Sequence, residues 1–483
     1  MMNISTTKLF AAQIYWNTLK NKALRVLLGI VALLIIYAAF SGALIYQEQT
    51  QTRQHYQHEV RTNWEKMPDK HPHRMAHYGY IVFRPKHLLS VFDYGMESFT
   101  GNAVFLEAHR QNSANFSEAG FSTGMLRFGE ISMSMILQVL VPLVIFFIGF
   151  GAIATDRENG TLKMLLSQGA TWKEILTGKA IGLLGIAVSV LLFAVVVLLV
   201  ACLGIAGSQI NGDDILRIGT VLLTYTLYFS IICLLTVIIS AVSRTAKFSL
   251  VILIGIWLTA VVIFPRTAQA IGNFLYHTPS RIAFEAAVEK DLIKKGDSHN
   301  PDDPYYKALK DSVLKAYHVQ SVDELPFNYG GFQMKEGERL SADIYNQHLA
   351  GLLGIYQQQN NVLRLSAIVN PFTALRNLSM AVSGTDFQSY TGFQQQAETY
   401  RYALAQHMND LQIKYISNKK PDDHDHPPSI SKAHWKEFPD FAYQRASLGT
   451  VMYHELWSLL ALLCWTAGLL LLIKLLSNKL KAI

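Results

Sequence analysis

The sequence predicts a mainly α-helical membrane protein, with six transmembrane helices and two extracytoplasmic insertions that form a mainly helical α+β outer domain. Of its 483 residues, 51% are hydrophobic and 16% are charged, whereas soluble proteins carry about 25% charge. Six stretches are long and apolar enough to span a bilayer, and basic residues concentrate on one side of them. The high apolar content excludes a disordered chain, and only three cysteines exclude a disulfide scaffold.

The N-terminal segment, residues 1–25, contains a predicted amphipathic helix over residues 6–22. Its apolar side chains include Leu9, Ile14 and Trp16, and lysines alternate with them. Such a helix favours the membrane interface, so we expect an elbow helix in the plane of the membrane. A simple extension of the first span is the alternative.

The six spans follow from length, because a hydrocarbon core roughly 30 Å thick needs about 20 mostly apolar residues. The first span is too long for the apolar core of a signal peptide, and Tyr46 does not suit a cleavage site. The fifth is short and is expected to end at Pro265. The predicted spans are residues 26–46, 132–154, 180–206, 215–242, 248–264 and 457–476.

The orientation follows from lysine and arginine near the span ends. Thirteen basic and three acidic residues lie before the first span, in loop 155–179, between the fourth and fifth spans, and at the end of the sixth. All four regions fall on one side of a six-span chain. We therefore expect both termini, including the tail 477–483, to be cytoplasmic. The net charge of +7 is then a topology signal, and nucleic acid is not an expected partner.

Two segments, 47–131 and 265–456, are predicted to lie outside the membrane and to pack together. All 16 histidines fall within them, and all three cysteines fall within the spans. The outer domain therefore depends on a packed core rather than on disulfides. Helical periodicity from residue 361 and from residue 393 predicts two helices there, with breaks at Asn370-Pro371 and at Gly384. An extended stretch is expected before them, near residues 326–331.

Residues 155–169 form the most informative segment: a polar turn, Thr-Asp-Arg-Glu-Asn-Gly-Thr, followed by an amphipathic helix. A span ending in Gly-Phe-Gly-Ala-Ile precedes it, and Gly178-Lys179 opens the next span. This pattern resembles the type-2 (ABC-2) permeases of ATP-binding cassette transporters. Residues 325–331, 370–379 and 393–409 also resemble a bacterial subfamily with a long insertion before the last span.

The resemblance implies a permease subunit of an exporter in the bacterial inner membrane. It implies that the short helix is a coupling helix, whose residues 163–177 dock into a cytoplasmic ATPase subunit. It further implies a dimer with a second permease subunit, identical or paralogous, within the lipid bilayer. The residues implied in ATPase coupling are Asp156, Arg157, Glu158, Gly160, Thr161, Leu165 and Leu166.

The chain itself is not expected to be an enzyme or to bind a cofactor. The ATP-binding pattern G-x-x-x-x-G-K-[ST] fails at Gly178-Lys179, because Ala180 follows and Lys173 stands at the first glycine position. ATP and Mg²⁺ are therefore expected to bind to the ATPase partner.

Two further groups of residues have open interpretations. Polar or irregular positions within the spans could line a transport pathway or a subunit interface, or could serve helix packing; they are Gln138, Pro142, Thr224, Tyr225 and Tyr228. Histidine clusters at His71–His73, with His77, and at His424–His426 could ligate a metal. No zinc-motif spacing occurs, so solvated loops, and no bound metal, are the favoured prediction.

Two functions from different classes fit these features. The first is transport through the spans. The second is a mechanical or regulatory role, in which ATP hydrolysis moves the outer domain against a periplasmic or outer-membrane partner. A continuous cavity would favour transport, and tightly packed spans below long outer stalks would favour mechanics.

Overall fold

The computed structural model describes residues 4–113, 131–205, 207, 209–300, 302–419 and 428–480. It confirms a mainly helical fold with six helices long and apolar enough to cross a membrane. The helices are α1 (Ile4–Lys20), α2 (Lys22–Lys66), α3 (Pro72–Ala76), α4 (Met133–Met135), α5 (Val141–Gly149), α6 (Ala154–Glu158), α7 (Thr161–Ser167), α8 (Trp172–Gly204), α9 (Gly212–Val242), α10 (Ala246–Leu258), α11 (Phe264–Leu275), α12 (Arg281–Lys295), α13 (Pro304–Tyr317), α14 (Tyr329–Ser366), α15 (Pro371–Ser383), α16 (Phe387–Tyr415), α17 (Leu448–His454) and α18 (Leu456–Lys479).

The first candidate span, α2, continues well past the apolar stretch that predicted it. It runs unbroken for 45 residues, which corresponds to a length of about 67 Å at 1.5 Å per residue. Asn21 caps its N-terminus, since the Asn21 side chain accepts hydrogen bonds from the backbone N–H groups of Ala23 and Leu24. The polar residues after position 46 therefore extend the span as a helical stalk.

Two proline-containing spans use the same device to remain helical. A π-helical turn, Ile136–Leu140, precedes Pro142, and a second, Thr259–Ile263, precedes Pro265. Proline lacks an N–H group and its ring crowds the carbonyl four residues earlier, and a widened turn relieves both problems. The helix of the fifth candidate span consequently continues past Pro265 through α11.

The N-terminal helix α1 packs directly against α8. A Cβ atom on Gly178 would lie 2.6 Å from the Thr7 carbonyl oxygen, and one on Gly182 would lie 2.6 Å from the Ala11 carbonyl oxygen. Glycines four residues apart let two helix backbones approach closely. Gly178 and Gly182 thus serve helix packing. Leu9 and Trp16 remain exposed on the other face of α1, as expected for a helix at a membrane interface.

The two outer segments share one hydrophobic core. The antiparallel strands β1 (Tyr80–Phe83) and β2 (Ala103–Leu106) pair with Tyr80 opposite Leu106, and their buried side chains cluster with those of α16. Trp64, near the end of α2, donates a hydrogen bond from Nε1 to the Trp435 carbonyl oxygen (3.1 Å). The expected packing of the two segments is therefore observed, and the core is joined to the stalk.

Part of the predicted extended stretch is helical instead. Gly330 and Gly331 lie in the first turn of α14, where the Asn328 side chain accepts a hydrogen bond from the Gly331 N–H (2.7 Å). A Cβ atom on Gly331 would lie 2.9 Å from the Ile413 backbone nitrogen. These glycines therefore permit close packing against α16. The predicted helix breaks at Asn370-Pro371 and at Gly384 are confirmed.

Candidate functional site

A compact helical hairpin joins the second and third candidate spans. Helix α6 and helix α7 are separated by Gly160, whose φ of +75° lies in the left-handed region that favours glycine. Thr171 and Glu174 form a capping box at the start of α8. Each side chain accepts a hydrogen bond from the backbone N–H of the other residue. The predicted polar turn and short helix are therefore present as two short helices.

Charged side chains tie this hairpin to the neighbouring spans. Asp156 pairs with Lys179 of α8, and Lys179 also donates to the Ala152 carbonyl oxygen. The two terminal nitrogens of Arg157 donate to the carbonyl oxygens of Ala241 and Ser243, at the C-terminal end of α9. A cation is favourable there because the last carbonyls of a helix lack backbone partners. The hairpin is thus fixed to two separate spans.

The short helix α7 has an inward face and an exposed face. Leu162 is fully buried in the core, and Leu165 and Leu166 are half-buried against it. Four side chains of α7 are exposed, together with Glu158 at the end of α6 and Gln168 directly after α7. We call these six residues the outward face: Glu158, Thr161, Lys163, Met164, Ser167 and Gln168. Met164, an apolar residue on this face, is 60% exposed.

The implied coupling residues therefore divide into two sets. Asp156, Arg157, Leu165 and Leu166 hold the hairpin in place, whereas Glu158 and Thr161 lie at the surface, with the Thr161 hydroxyl donating to Asp156. The later part of the implied docking segment, Ile175 and Leu176 included, is buried within α8. The surface open to a partner is consequently the outward face and not the whole of residues 163–177.

The polar residues of the spans form a buried network. Gln138 donates from Nε2 to the Tyr225 hydroxyl (2.7 Å), and the Tyr228 hydroxyl donates to the Gln138 carbonyl oxygen (3.1 Å). In an α-helix the partner of that carbonyl would be the nitrogen of Pro142, which carries no hydrogen. Thr224 bonds to carbonyls of its own helix. Within one chain these contacts favour helix packing, and their role in a pathway remains a prediction.

The same network continues into the outer part of the molecule. Tyr225 lies 2.9 Å from the Ser379 hydroxyl, and Ser379 donates to Asp93, which also accepts from the Gly95 N–H (3.0 Å). Burial raises the pKa of Asp93 above its usual range. The second and fourth spans are therefore linked to α15 and to the segment after α2 through buried hydrogen bonds.

A cavity of about 650 Å³ lies beside the stalk, just beyond the apolar part of α2. Most of its lining surface is apolar, from residues such as Ile45, Tyr56 and Phe83. Its charged lining residues are Glu48, Arg53, Arg84 and Lys86. Burial lowers the pKa of Arg53. The cavity is in the size range of ligand sites, but it lies against the outer sheet and not among the spans.

The histidines predicted as possible ligands separate in the structure. His71 caps α3, because its Nδ1 accepts the His73 N–H (3.2 Å). His73 and His77 lie together, with a distance of 3.2 Å between their Nε2 atoms, and burial and neighbouring imidazoles lower the pKa of His73 to about 3. His424 and His426 lie outside the described residues.

Two histidines from distant positions join that pair. The rings of His109 and His299 stand 5.3 Å apart, centre to centre, and both contact the ring of His73. His109 follows β2, and His299 lies in the loop between α12 and α13. Sequence reasoning missed them because no short spacing connects them to His73; we call the four residues the histidine cluster.

Residues 281–444 match the family described as a domain of unknown function, DUF3526. The match begins at α12 and ends before α17, so it covers most of the chain between the fifth and sixth candidate spans. No curated protein matches this chain.

Proposed function

We propose that this chain is the permease subunit of an ATP-binding cassette exporter in the bacterial inner membrane. The observation that carries the proposal is the hairpin of α6 and α7, which exposes its outward face while being fixed to two spans. A separate cytoplasmic ATPase subunit, which binds ATP and Mg²⁺, would dock on that face. A second permease subunit would complete the transporter.

The hairpin has the mechanical properties that coupling requires. A push on α7 would reach α8 through the Asp156–Lys179 pair and α9 through Arg157. Because packed cores shift between discrete arrangements rather than deform continuously, such a lever would move the spans as units. An isolated surface loop would absorb the same push in its own backbone.

The distribution of charge supports the orientation. Basic residues concentrate at the ends of the six helices that share the hairpin's side, and this is the cytoplasmic side under the positive-inside rule. The ATPase would then meet the outward face in the cytoplasm, and the stalk and outer domain would project to the other side.

A mechanical role is the second candidate, and the stalk favours it. Helix α2 passes without interruption from the first span into the core of the outer domain, where Trp64 is buried. Movement of the span would therefore reach the outer domain directly. The 650 Å³ cavity beside the stalk would serve either function, as a place for the transported molecule or for part of a periplasmic or outer-membrane partner.

Purification of the complex tests the proposal. The full-length chain, isolated in mild detergent, should carry a nucleotide-binding ATPase subunit identifiable by mass spectrometry. A Met164→Asp variant should lose at least tenfold of that subunit, because a carboxylate would replace an exposed apolar contact. Ile293→Asp is the matched control, since Ile293 is 71% exposed on α12 and lies far from the hairpin in the chain.

Two results would contradict the docking surface: no ATPase subunit on the wild-type chain, or equal recovery with Met164→Asp. The transport and mechanical functions separate in proteoliposomes that contain only the permease and its ATPase. Transport predicts ATP-dependent movement of a substrate in that minimal system, whereas a mechanical role requires the outer partner.

A further inference from the structure

We propose that the histidine cluster binds a divalent transition-metal ion of the zinc and copper class. The proposal does not depend on the function proposed above. Imidazole nitrogen is a preferred ligand of such ions, whereas Mg²⁺ and Ca²⁺ prefer oxygen. His73, His77, His109 and His299 each offer one ring nitrogen, and these four atoms lie within 4.8 Å of one another.

The separations suit a four-coordinate ion after small side-chain movements. Zinc–nitrogen bonds of 2.0–2.1 Å place the nitrogens of a tetrahedral site about 3.4 Å apart. The Nε2 atoms of His73 and His77 already stand 3.2 Å apart. The atoms lie within 4.8 Å of one another, so the widest pair must close by about 1.4 Å at most. Two of the four side chains, those of His77 and His299, are exposed.

Buried groups behind the cluster orient one of its ligands. Glu338, which is fully buried, accepts from the backbone N–H of His109 (2.8 Å) and lies 3.1 Å from its Nδ1. Arg401 holds the other Glu338 oxygen through Nη1 (2.7 Å). A carboxylate on one ring nitrogen fixes the tautomer and turns the other nitrogen towards a metal.

His109 itself has two unusual features. Its φ of +62° lies in the left-handed region, which non-glycine residues rarely adopt. Its Nε2 is buried and has no hydrogen-bond partner among the described residues. Buried polar atoms are nearly always satisfied, so an orphaned nitrogen that faces three other imidazoles points to a ligand.

The loop that carries His299 is also ordered by its own contacts. The His299 N–H donates to Asp297 (2.9 Å), and His299 Nδ1 lies 3.4 Å from the same carboxylate. Gln333 of α14 donates to the Ser298 carbonyl oxygen (2.5 Å). With Asp297 at Nδ1, the nitrogen that His299 has left to offer an ion is Nε2, and a carboxylate then lies behind the ring as for His109.

The site would join two parts of the outer domain. His73, His77 and His109 belong to the segment after the first span, and His299 belongs to the region that matches DUF3526. Bound metal would therefore stabilise the contact between that region and the segment attached to the stalk.

Metal binding by the full-length chain tests this inference. The protein should be purified in detergent without a polyhistidine tag, stripped with chelator, and titrated with Zn²⁺ by calorimetry, with Mg²⁺ as the comparison. We expect one Zn²⁺ per chain at micromolar affinity or tighter, a raised Tm, and no response to Mg²⁺. Co²⁺ should give the intense visible bands of a tetrahedral nitrogen site.

Variants locate the ion. His299→Gln should weaken Zn²⁺ binding at least tenfold and abolish the Co²⁺ bands, and His73→Gln should do the same. His299 lies in an exposed loop, so that variant is expected to fold even if His73→Gln does not. The controls are His58→Gln, an exposed histidine on α2, and the double variant His424→Gln/His426→Gln. Absence of Zn²⁺ binding, unchanged binding in His299→Gln, or loss only in the double variant would overturn the proposal.

Discussion

The hairpin and the histidine cluster are assembled in opposite ways. The hairpin itself lies within one short stretch of chain, and its ion pair joins Asp156 to Lys179, 23 positions apart. Only Arg157 reaches a more distant segment among these contacts, the end of α9. The cluster joins His73 to His299, 226 positions apart, through two outer segments and a buried arginine behind them. The hairpin can therefore form once its two spans pack, whereas the cluster requires the whole outer domain.

The largest expected effect falls on the support behind the cluster. Arg401 is buried and bonds to both Glu338 and Glu398. Arg401→Met would leave two buried carboxylates without a cation, and removal of one partner from a buried pair costs about 3–5 kcal/mol. Chemical unfolding of the purified chain should report this loss.

Arg339→Met is the matched control, because Arg339 is half-exposed and pairs with Glu336 and Asp343 on the surface of α14. Exposed pairs contribute about 0–1 kcal/mol. Equal destabilisation by the two variants would show that the outer domain does not depend on the buried ion cluster.

The next-largest effect is expected at the contact between α1 and α8. Gly182→Val would place side-chain atoms against the Ala11 backbone, and overpacking of this kind costs about 1–3 kcal/mol. Helix α1 should detach from α8, which limited proteolysis would detect as faster cleavage before residue 22. Gly219→Val tests the residue type alone, since a Cβ atom at Gly219 meets nothing within 4 Å; similar cleavage in both variants would disprove the contact.

The sequence predicted the helical membrane half better than the outer half, for a physical reason. Apolar runs and lysine–arginine asymmetry are local signals, so the six helices and the turn around Gly160 were accessible. The stalk could not be predicted in this way, because its residues after position 46 are polar. Its far end is held by Trp64, which is buried in the core of the outer segments.

The candidate sites divide in the same way. The resemblance named the residues implied in coupling, but the separation of anchors such as Leu165 from exposed residues such as Glu158 depends on the tertiary core. His73 and His77 were visible as neighbours. His109 and His299 carry no local signal, and only the pairing of β1 with β2 and the α12–α13 loop bring them to the site.

A smaller effect, which depends on pH, concerns His87, a buried residue that faces Asp214 at the start of α9. Burial, with Arg217 and Arg445 nearby, lowers the pKa of His87 to about 3, while its ordinary value is about 6.5. The unfolded chain therefore takes up a proton first as pH falls below 6.5. Stability should decrease with a slope approaching about 1.4 kcal/mol per pH unit from this residue, and the decrease should continue towards pH 3.

His87→Asn isolates that contribution. Asparagine can still accept the Leu89 N–H that His87 Nδ1 accepts, but it does not titrate. The variant should show a flatter loss of unfolding free energy between pH 6.5 and pH 5 than the wild type. The carboxylates of Asp213 and Asp214 face His87. Parallel curves for the two proteins would mean that His87 is not neutral in the folded chain.

The coupling role of the hairpin is tested most directly by the ATPase rate of the reconstituted complex. Gly160→Val should uncouple hydrolysis from the permease several-fold, because a β-branched residue is strained at φ +75°, and Glu158→Ala should reduce coupling by changing the outward face. Gly160→Asn should retain coupling, since asparagine tolerates the left-handed region. We expect the permease to alter the rate of its ATPase in the wild type and in Gly160→Asn, and much less in Gly160→Val and Glu158→Ala. Equal coupling in all four proteins would show that the hairpin does not couple the two subunits.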